Sequence, residues 1–129
     1  MRGLCVPWRI LIVDDHPVLR RMVRSLLETI PEFDVCGEAE NGQQGIEKAR
    51  QLSPDAIILD ISMPVLNGLE AAKILRTMLP SIKILMFTSF AHAGLSQTAT
   101  AAGASRVVCK SSPPAALIKA LQELLMLAA

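Results

Sequence analysis

The chain has 129 residues and a formal net charge of +1, with 51% hydrophobic residues but only one Trp, three Phe and no Tyr. The near-neutral charge excludes a strongly basic nucleic-acid or membrane-surface patch as the main theme. The aromatic-poor, aliphatic-rich composition favours packed α/β layers over a β-sandwich. One core fits this length without a disulfide staple. Cys5, Cys36 and Cys109 are odd in number and widely spaced, so they read as reduced thiols of a cytoplasmic protein. No apolar run reaches the roughly 20 residues of a membrane span, and Pro7 and Arg9 interrupt the only signal-like stretch.

Strand-like and helix-like segments alternate five times. Arg9–Val13 is predicted as β1. Pro17–Thr29 (α1) carries Val18, Leu19, Met22, Val23, Leu26 and Leu27 at helical spacing, with Arg20 and Arg24 on the other face. Pro17 stands where a helix start tolerates the missing N–H, and Pro31 ends the segment. Phe33–Ala39 is β2, and Asn41 caps a helix running to about Leu52 (α2). Ala56–Asp60 (β3) is an unbroken apolar run ending in a carboxylate, the pattern of a strand covered on both faces. Asn67-Gly68 opens α3, which runs to about Met78. Lys83–Thr88 is β4, His92–Ala102 is α4 closed by Gly103, Arg106–Cys109 is β5, and Pro114–Leu127 is α5. The pattern predicts one α/β domain over residues 9–128 after a tail of residues 1–8. Its fold class is a flavodoxin-like, doubly wound (βα)5 parallel sheet in strand order 2-1-3-4-5. Such sheets bind ligands beyond the carboxyl ends of their strands.

At those ends stand Asp14-Asp15 (β1), Asp60 (β3), Thr88-Ser89 (β4) and Cys109-Lys110 (β5), whereas Glu38 and Glu40 after β2 lie away from the centre. Taken singly, each has a plain structural explanation: a helix cap, a turn carboxylate, a strand residue, a solvated surface lysine. Their joint placement on one edge is what points to chemistry. Carboxylates in contact repel by about 4 kcal/mol per pair near a surface, and a hard divalent cation such as Mg²⁺ offsets that. A carboxylate there can also act as nucleophile toward phosphorus, with the metal and a lysine neutralising the transferred group.

Four stretches resemble the receiver domains of bacterial two-component response regulators. They are ILIVDDHPV (Ile10–Val18), DISMPVLNGLE (Asp60–Glu70), ILMFTS (Ile84–Ser89) and VVCKSS (Val107–Ser112). The opening is similar to receivers of the nitrate-response and quorum-type regulators, and the likeness covers Arg9 to Leu127. Asp60 precedes Thr88 by 28 residues and Thr88 precedes Lys110 by 22, as in that family. The resemblance implies Asp60 as phosphoacceptor, Asp15, Asp60 and the Ser62 carbonyl as direct Mg²⁺ ligands, and Asp14 as a ligand through water. It implies Lys110 as phosphoryl partner and Thr88 as the switching hydroxyl. It further implies a sensor histidine kinase or phosphotransfer protein as donor, with no catalysis beyond the domain's own phosphorylation and dephosphorylation. Pro64 and Gly68 are expected to shape the loop after Asp60.

Two positions depart from the family pattern. Val107 stands where an aromatic usually reports the switch, and Phe90 stands where many relatives are polar. Phe90 is expected either to shield the acyl phosphate or to pack on α4. The loop Ser89–Leu95 has little side-chain anchoring and is expected to move. The α4-β5-α5 face is expected to be apolar and to serve as output surface, with a homodimer through that face or through α1-α5. His16 and His92 read as surface or loop residues. The chain has no basic helix or helix-turn-helix segment, so no DNA binding is expected of it alone. The alternative is a receiver cut from the N-terminus of a DNA-binding transcriptional regulator. A dehalogenase-like phosphatase with Asp14 as nucleophile would want Asp-x-Asp, and a dinucleotide binder would want GxGxxG after β1; neither is present.

Overall fold

A computed structural model describes residues 6–89 and 94–127. Five parallel strands lie in the order β2-β1-β3-β4-β5, as expected. The elements are β1 (Trp8–Val13), α1 (Pro17–Glu28), β2 (Phe33–Ala39), α2 (Gly42–Leu52), β3 (Ala56–Leu59) and α3 (Gly68–Met78). They continue with β4 (Lys83–Thr88), α4 (Leu95–Ala102), β5 (Arg106–Cys109) and α5 (Pro114–Gln122), which runs into a π-helical turn, Glu123–Leu127.

Alternation along the strands divides the core into two layers. Leu11, Val13, Ile57, Leu59, Ile84 and Met86 point to one side, against Ala49 of α2, Ala71, Ala72 and Leu75 of α3, and Ala99 and Ala102 of α4. Ile10, Ile12, Ala56, Ile58, Leu85 and Val108 point to the other, against Val23 and Leu27 of α1 and Leu117, Ala120 and Leu121 of α5. All four residues of β3 are buried, which is why its sequence shows no polar alternation. The many alanines let α2, α3 and α4 sit close to the sheet. Gly45 on α2 approaches so nearly that an added Cβ would lie 3.0 Å from the Val13 side chain.

Helix ends follow local chemistry. The Asn41 side chain accepts from the Gln44 N–H, and the Asn67 side chain accepts from the Glu70 N–H while donating to the Glu70 carboxylate. The Arg9 guanidinium donates to the Leu52 carbonyl at the end of α2. α4 begins at Leu95, later than the pattern read it, because Gly94 adopts a left-handed φ of 88° at its N-cap. The expected start at His92 and the loop residues 90–93, including Phe90, lie outside the described residues. α5 ends earlier than read, at Gln122, where the backbone passes into the π turn.

The expectation of an apolar α4-β5-α5 face is corrected in part. The apolar residues Leu95, Ala99 and Ala102 of α4 are buried, and its exposed residues include Ser96, Gln97, Thr98 and Thr100. Instead, two of the largest exposed apolar side chains among the described residues sit on α1: Val18 at 63% and Met22 at 61% exposure. They border a groove of about 480 Å³ between α1 and α5, lined also by Phe87, Pro114 and Lys110. Cys36 and Cys109 are partly buried, and the Cys109 thiol lies 3.0 Å from the Ser111 hydroxyl; Cys5 lies outside the described residues.

Truncation of buried Ile58 leaves a cavity between β3 and the α1/α5 layer. Ile58→Ala should lower unfolding free energy by roughly 2–5 kcal/mol. Ile74→Ala, on an exposed face of α3, should change it by about 0.5 kcal/mol or less. Urea denaturation followed by circular dichroism measures both.

Candidate functional site

The sheet's hydrogen-bonding carries on past the strand ends and fixes the backbone of the site. The Asp14 N–H donates to the Ala39 carbonyl at 3.1 Å, the Asp60 N–H to the Val13 carbonyl at 3.0 Å, and the Lys110 N–H to the Thr88 carbonyl at 2.8 Å. Arg20 on α1 adds a guanidinium donor to the Asp14 carbonyl at 2.6 Å. That arginine also pairs with Glu38 at 3.2 Å, and Arg24 joins the same carboxylate at 2.7 Å. Glu38 is therefore occupied in holding α1 to β2, away from the crevice as expected. Burial would raise its pKa, but the hydrogen bonds and charges of Arg24 and Arg20 outweigh that and hold it below the usual carboxylate range.

Three of the predicted site residues are almost wholly buried: Asp14 at 4%, Asp60 at 3% and Thr88 at 0% exposure. The Lys110 ammonium lies 2.7 Å from Asp14 Oδ2 and 3.2 Å from Asp60 Oδ2, bridging the two carboxylates. One oxygen of each of Asp14, Asp15 and Asp60 and one nitrogen of His16 fall within 4.8 Å of one another. Asp15 Oδ1 is buried and receives no hydrogen bond. Lys110 thus reaches two of the three carboxylates, and the third, Asp15, is left to the His16 ring at 3.0 Å. A hard divalent cation with oxygen ligands fits that imbalance and that donor set.

Burial, followed by the negative charge of Asp14, pushes the Asp60 pKa up; the charge and hydrogen bond of Lys110 oppose this without cancelling it. Ionisation of the buried Asp60 carboxyl thus carries a cost that a cation would relieve.

The loop after Asp60 is shaped by Gly68. An added Cβ there would lie 2.1 Å from the Asp60 carbonyl oxygen, so only glycine lets α3 start against the site. Its N–H donates to the Ile61 carbonyl at 2.8 Å. Val65 in the same loop takes a φ of 71°, an uncommon conformation for a β-branched residue. Ser62, expected to offer its carbonyl, is exposed in this loop. Val107, at the position of the usual aromatic, packs against the α2-α3-α4 side of the core. Phe87 instead faces the α1/α5 layer.

His16 is an exposed residue at the N-cap of α1, as read from the sequence. Its side chain is 67% exposed, yet Nδ1 lies 3.1 Å from Asp14 Oδ1 and 3.0 Å from Asp15 Oδ1. The available signal was its adjacency to Asp14-Asp15 just before Pro17; burial pattern gave none.

The model of the response regulator receiver domain matches residues 10–122. The chain belongs to that family. It is 44% identical over 117 residues to the nitrate/nitrite response regulator protein NarL of Escherichia coli K12, covering 91% of this chain and 54% of NarL. It is 34% identical over 115 residues to the chemotaxis protein CheY of Thermotoga maritima, covering 89% of this chain and 95% of CheY. Among solved structures it is similar to a LuxR-family two-component response regulator from Aurantimonas sp. SI85-9A1, with a TM-score of 0.89 and 35% identity over 92% of this chain and 85% of that one. The receiver fits within CheY almost end to end but spans about half the length of NarL and of the Bacillus subtilis transcriptional regulatory protein LnrK. Among the described residues no helix is long and apolar enough to cross a membrane.

The raised Asp60 pKa fixes the sign of a pH effect. The folded state binds this proton more tightly than the unfolded chain, so the associated stability is full below the unfolded value of about 3.9 and is lost as pH rises through the folded value. In metal-free buffer Asp60→Asn should match wild type at low pH and exceed it increasingly toward neutrality. Paired thermal melts across pH check this; a constant difference would contradict it.

Proposed function

We propose that Asp60 is the phosphoacceptor of this receiver and that Asp14, Asp15 and Asp60, with the Ser62 carbonyl, hold Mg²⁺. The carrying observation is the buried Asp60 carboxylate bridged to Asp14 by Lys110 at the carboxyl edge of the sheet. Bound there, the metal would screen the carboxylates and the incoming phosphoryl oxygens from one another.

The chain's own groups do the rest. An Asp60 oxygen attacks phosphorus of a phosphohistidine or acyl phosphate, the bond from phosphorus to the donor breaks, and the aspartyl phosphate remains. Lys110, already against Asp60, shifts its ion pair to the phosphoryl oxygens, trading a carboxylate partner for a group of about −2 charge. Thr88, buried at the end of β4, offers its hydroxyl to the same group. Hydrogen bonds to charged groups contribute roughly 1.5–3 kcal/mol each. Several together reach the ~5.5 kcal/mol that inverts a 1:99 equilibrium. That would bias the segment after β4 and, through it, the α4-β5-α5 surface. Receiver chemistry of this kind is a self-modification and turns over no separate substrate.

The donor in this reading is a sensor histidine kinase or phosphotransfer protein, and exposed Val18 and Met22 on α1 beside the crevice offer it an apolar seat. The same α1-α5 groove is also where a homodimer would form. A second reading adds to the first. The chain covers only about half of NarL and LnrK, which supports a role as the receiver module of a longer DNA-binding regulator, with DNA contacts made outside this chain. A cytoplasmic location accords with both.

Incubation with Mg²⁺ and acetyl phosphate should add one phosphoryl group to the wild type and none to Asp60→Asn, read by intact-protein mass spectrometry. Phosphorylation of the variant to the same extent would refute the assignment. Val18→Glu and Met22→Glu should slow transfer from a phosphohistidine protein at least several-fold while leaving acetyl phosphate labelling unchanged. Equal slowing with both donors would place the effect in the site itself.

A further inference from the structure

The hollow between α1 and α5 has chemistry that docking on its rim leaves unused. It encloses about 480 Å³, inside the roughly 300–1,000 Å³ of small-molecule pockets. Its floor is apolar, made by Phe87 of β4 and buried Leu117 of α5, and exposed Val18 and Met22 form one rim.

Charge in this hollow has one sign. The two charged side chains that line it are Arg21 and Lys110, both cationic. Lys110 is engaged by Asp14 and Asp60. Arg21 is not engaged. Its neighbours Arg20 and Arg24 share Glu38, and among the described residues Arg21 itself makes no ion pair. The acids of the two walls are already taken. Glu28 of α1 pairs with Arg24 at 3.5 Å, and Glu123 just after α5 pairs with Arg106 at 2.8 Å. Arg21 and Ser25 are four residues apart on α1 and both line the hollow, so a guanidinium and a hydroxyl face one spot.

These observations select an occupant. A guanidinium holds one carboxylate through two parallel N–H bonds. A doubly charged phosphate would leave one charge unmatched beside apolar walls. A second copy packed face to face would present the same surface, on which α1 and α5 carry no free acid to meet Arg21. We propose that the α1-α5 groove binds a small amphipathic carboxylate, with its head on Arg21 and Ser25 and its apolar tail along Met22, Phe87 and Leu117. The site is separate from the acidic crevice and needs no metal. Its consequence rests on the function proposed above: a tail in the groove covers Val18 and Met22, the seat of the donor, so occupancy would oppose phosphotransfer.

Calorimetric titration with decanoate tests the site, with decyltrimethylammonium as a probe of equal chain length and opposite head charge. Wild type should bind one decanoate, at least about 10-fold more tightly than the cation. Arg21→Gln should weaken decanoate binding at least about 10-fold and leave the cation no weaker. Lys119→Gln, which removes an exposed α5 cation outside the lining, should bind both probes as wild type does. Ser25→Trp, at an exposed position, should fill the hollow and abolish binding while keeping the wild-type circular dichroism spectrum. Decanoate should also shift the Met22 methyl resonance. Equal affinity for the two probes would overturn the proposal, as would decanoate binding that survives in Arg21→Gln or in folded Ser25→Trp. A wild-type dimer that decanoate does not enter and Ser25→Trp dissociates would assign the groove to a second copy instead. Binding to phosphatidylglycerol vesicles without binding of monomeric decanoate would assign it to a membrane surface. Each readout is of binding alone, so failure here and failure of Asp60 to accept phosphate are separate results.

Discussion

The mutual repulsion of Asp14, Asp15 and Asp60, only partly relieved by Lys110, is the constraint on which the rest of this molecule turns. Two of these carboxylates are nearly inaccessible to water, so solvent screens them poorly and they must be neutralised by groups within the site. Lys110 reaches two of them, and a buried oxygen of the third makes no hydrogen bond. Such a crevice holds an electrostatic deficit that a divalent cation would fill. A phosphoryl group arriving on Asp60 would rearrange the same charges, which is how a local chemical event can acquire structural leverage.

Keeping like charges together requires a scaffold that does not yield. Here the parallel sheet supplies it. Both faces are packed with aliphatic side chains, and the ladder continues one residue past β1, β3 and β5 into the acidic and basic residues themselves. Small residues on α2, α3 and α4 bring those helices close, and glycine at position 68 allows α3 to begin against the Asp60 backbone. Packing energy spread over two apolar layers thus offsets the electrostatic cost concentrated at one edge. The outer charges are arranged differently: Arg20 and Arg24 satisfy Glu38 and fasten α1 to β2, which keeps those arginines from neutralising the crevice.

The molecule divides its surface by purpose. The polar exterior of α4 contrasts with α1, where Val18 and Met22 stand exposed beside a groove that reaches Lys110. An apolar surface adjoining the crevice would let a donor dock without adding charge near an already negative site. Val107 lies inward on one side of the sheet while Phe87 lies on the other, so the aromatic ring of this end of the sheet belongs to the α1/α5 layer and not to the position the family pattern would give it.

Much of this was legible in the sequence because each signal was local and periodic. The strand count, the parallel order and the placement of Asp14, Asp15, Asp60, Thr88 and Lys110 on one edge follow from alternating apolar runs whose ends carry polar residues; the βα rhythm leaves few ways to connect them. Helix limits were less legible at α4 and α5, since a left-handed glycine and a π turn depend on packing and not on residue type alone. The face that α4 presents was misjudged because a helix without charges looks apolar throughout, although its apolar residues are turned inward. His16 lies at the surface as read, but its approach to Asp14 and Asp15 was not legible, because it depends on side-chain direction. Residue identities by themselves determined that the acids would share an edge; only tertiary structure decided which oxygens face Lys110 and which face the imidazole. Side-chain direction at a strand-to-helix turn is set by contacts between segments distant in the chain, and no spacing along the sequence encodes it.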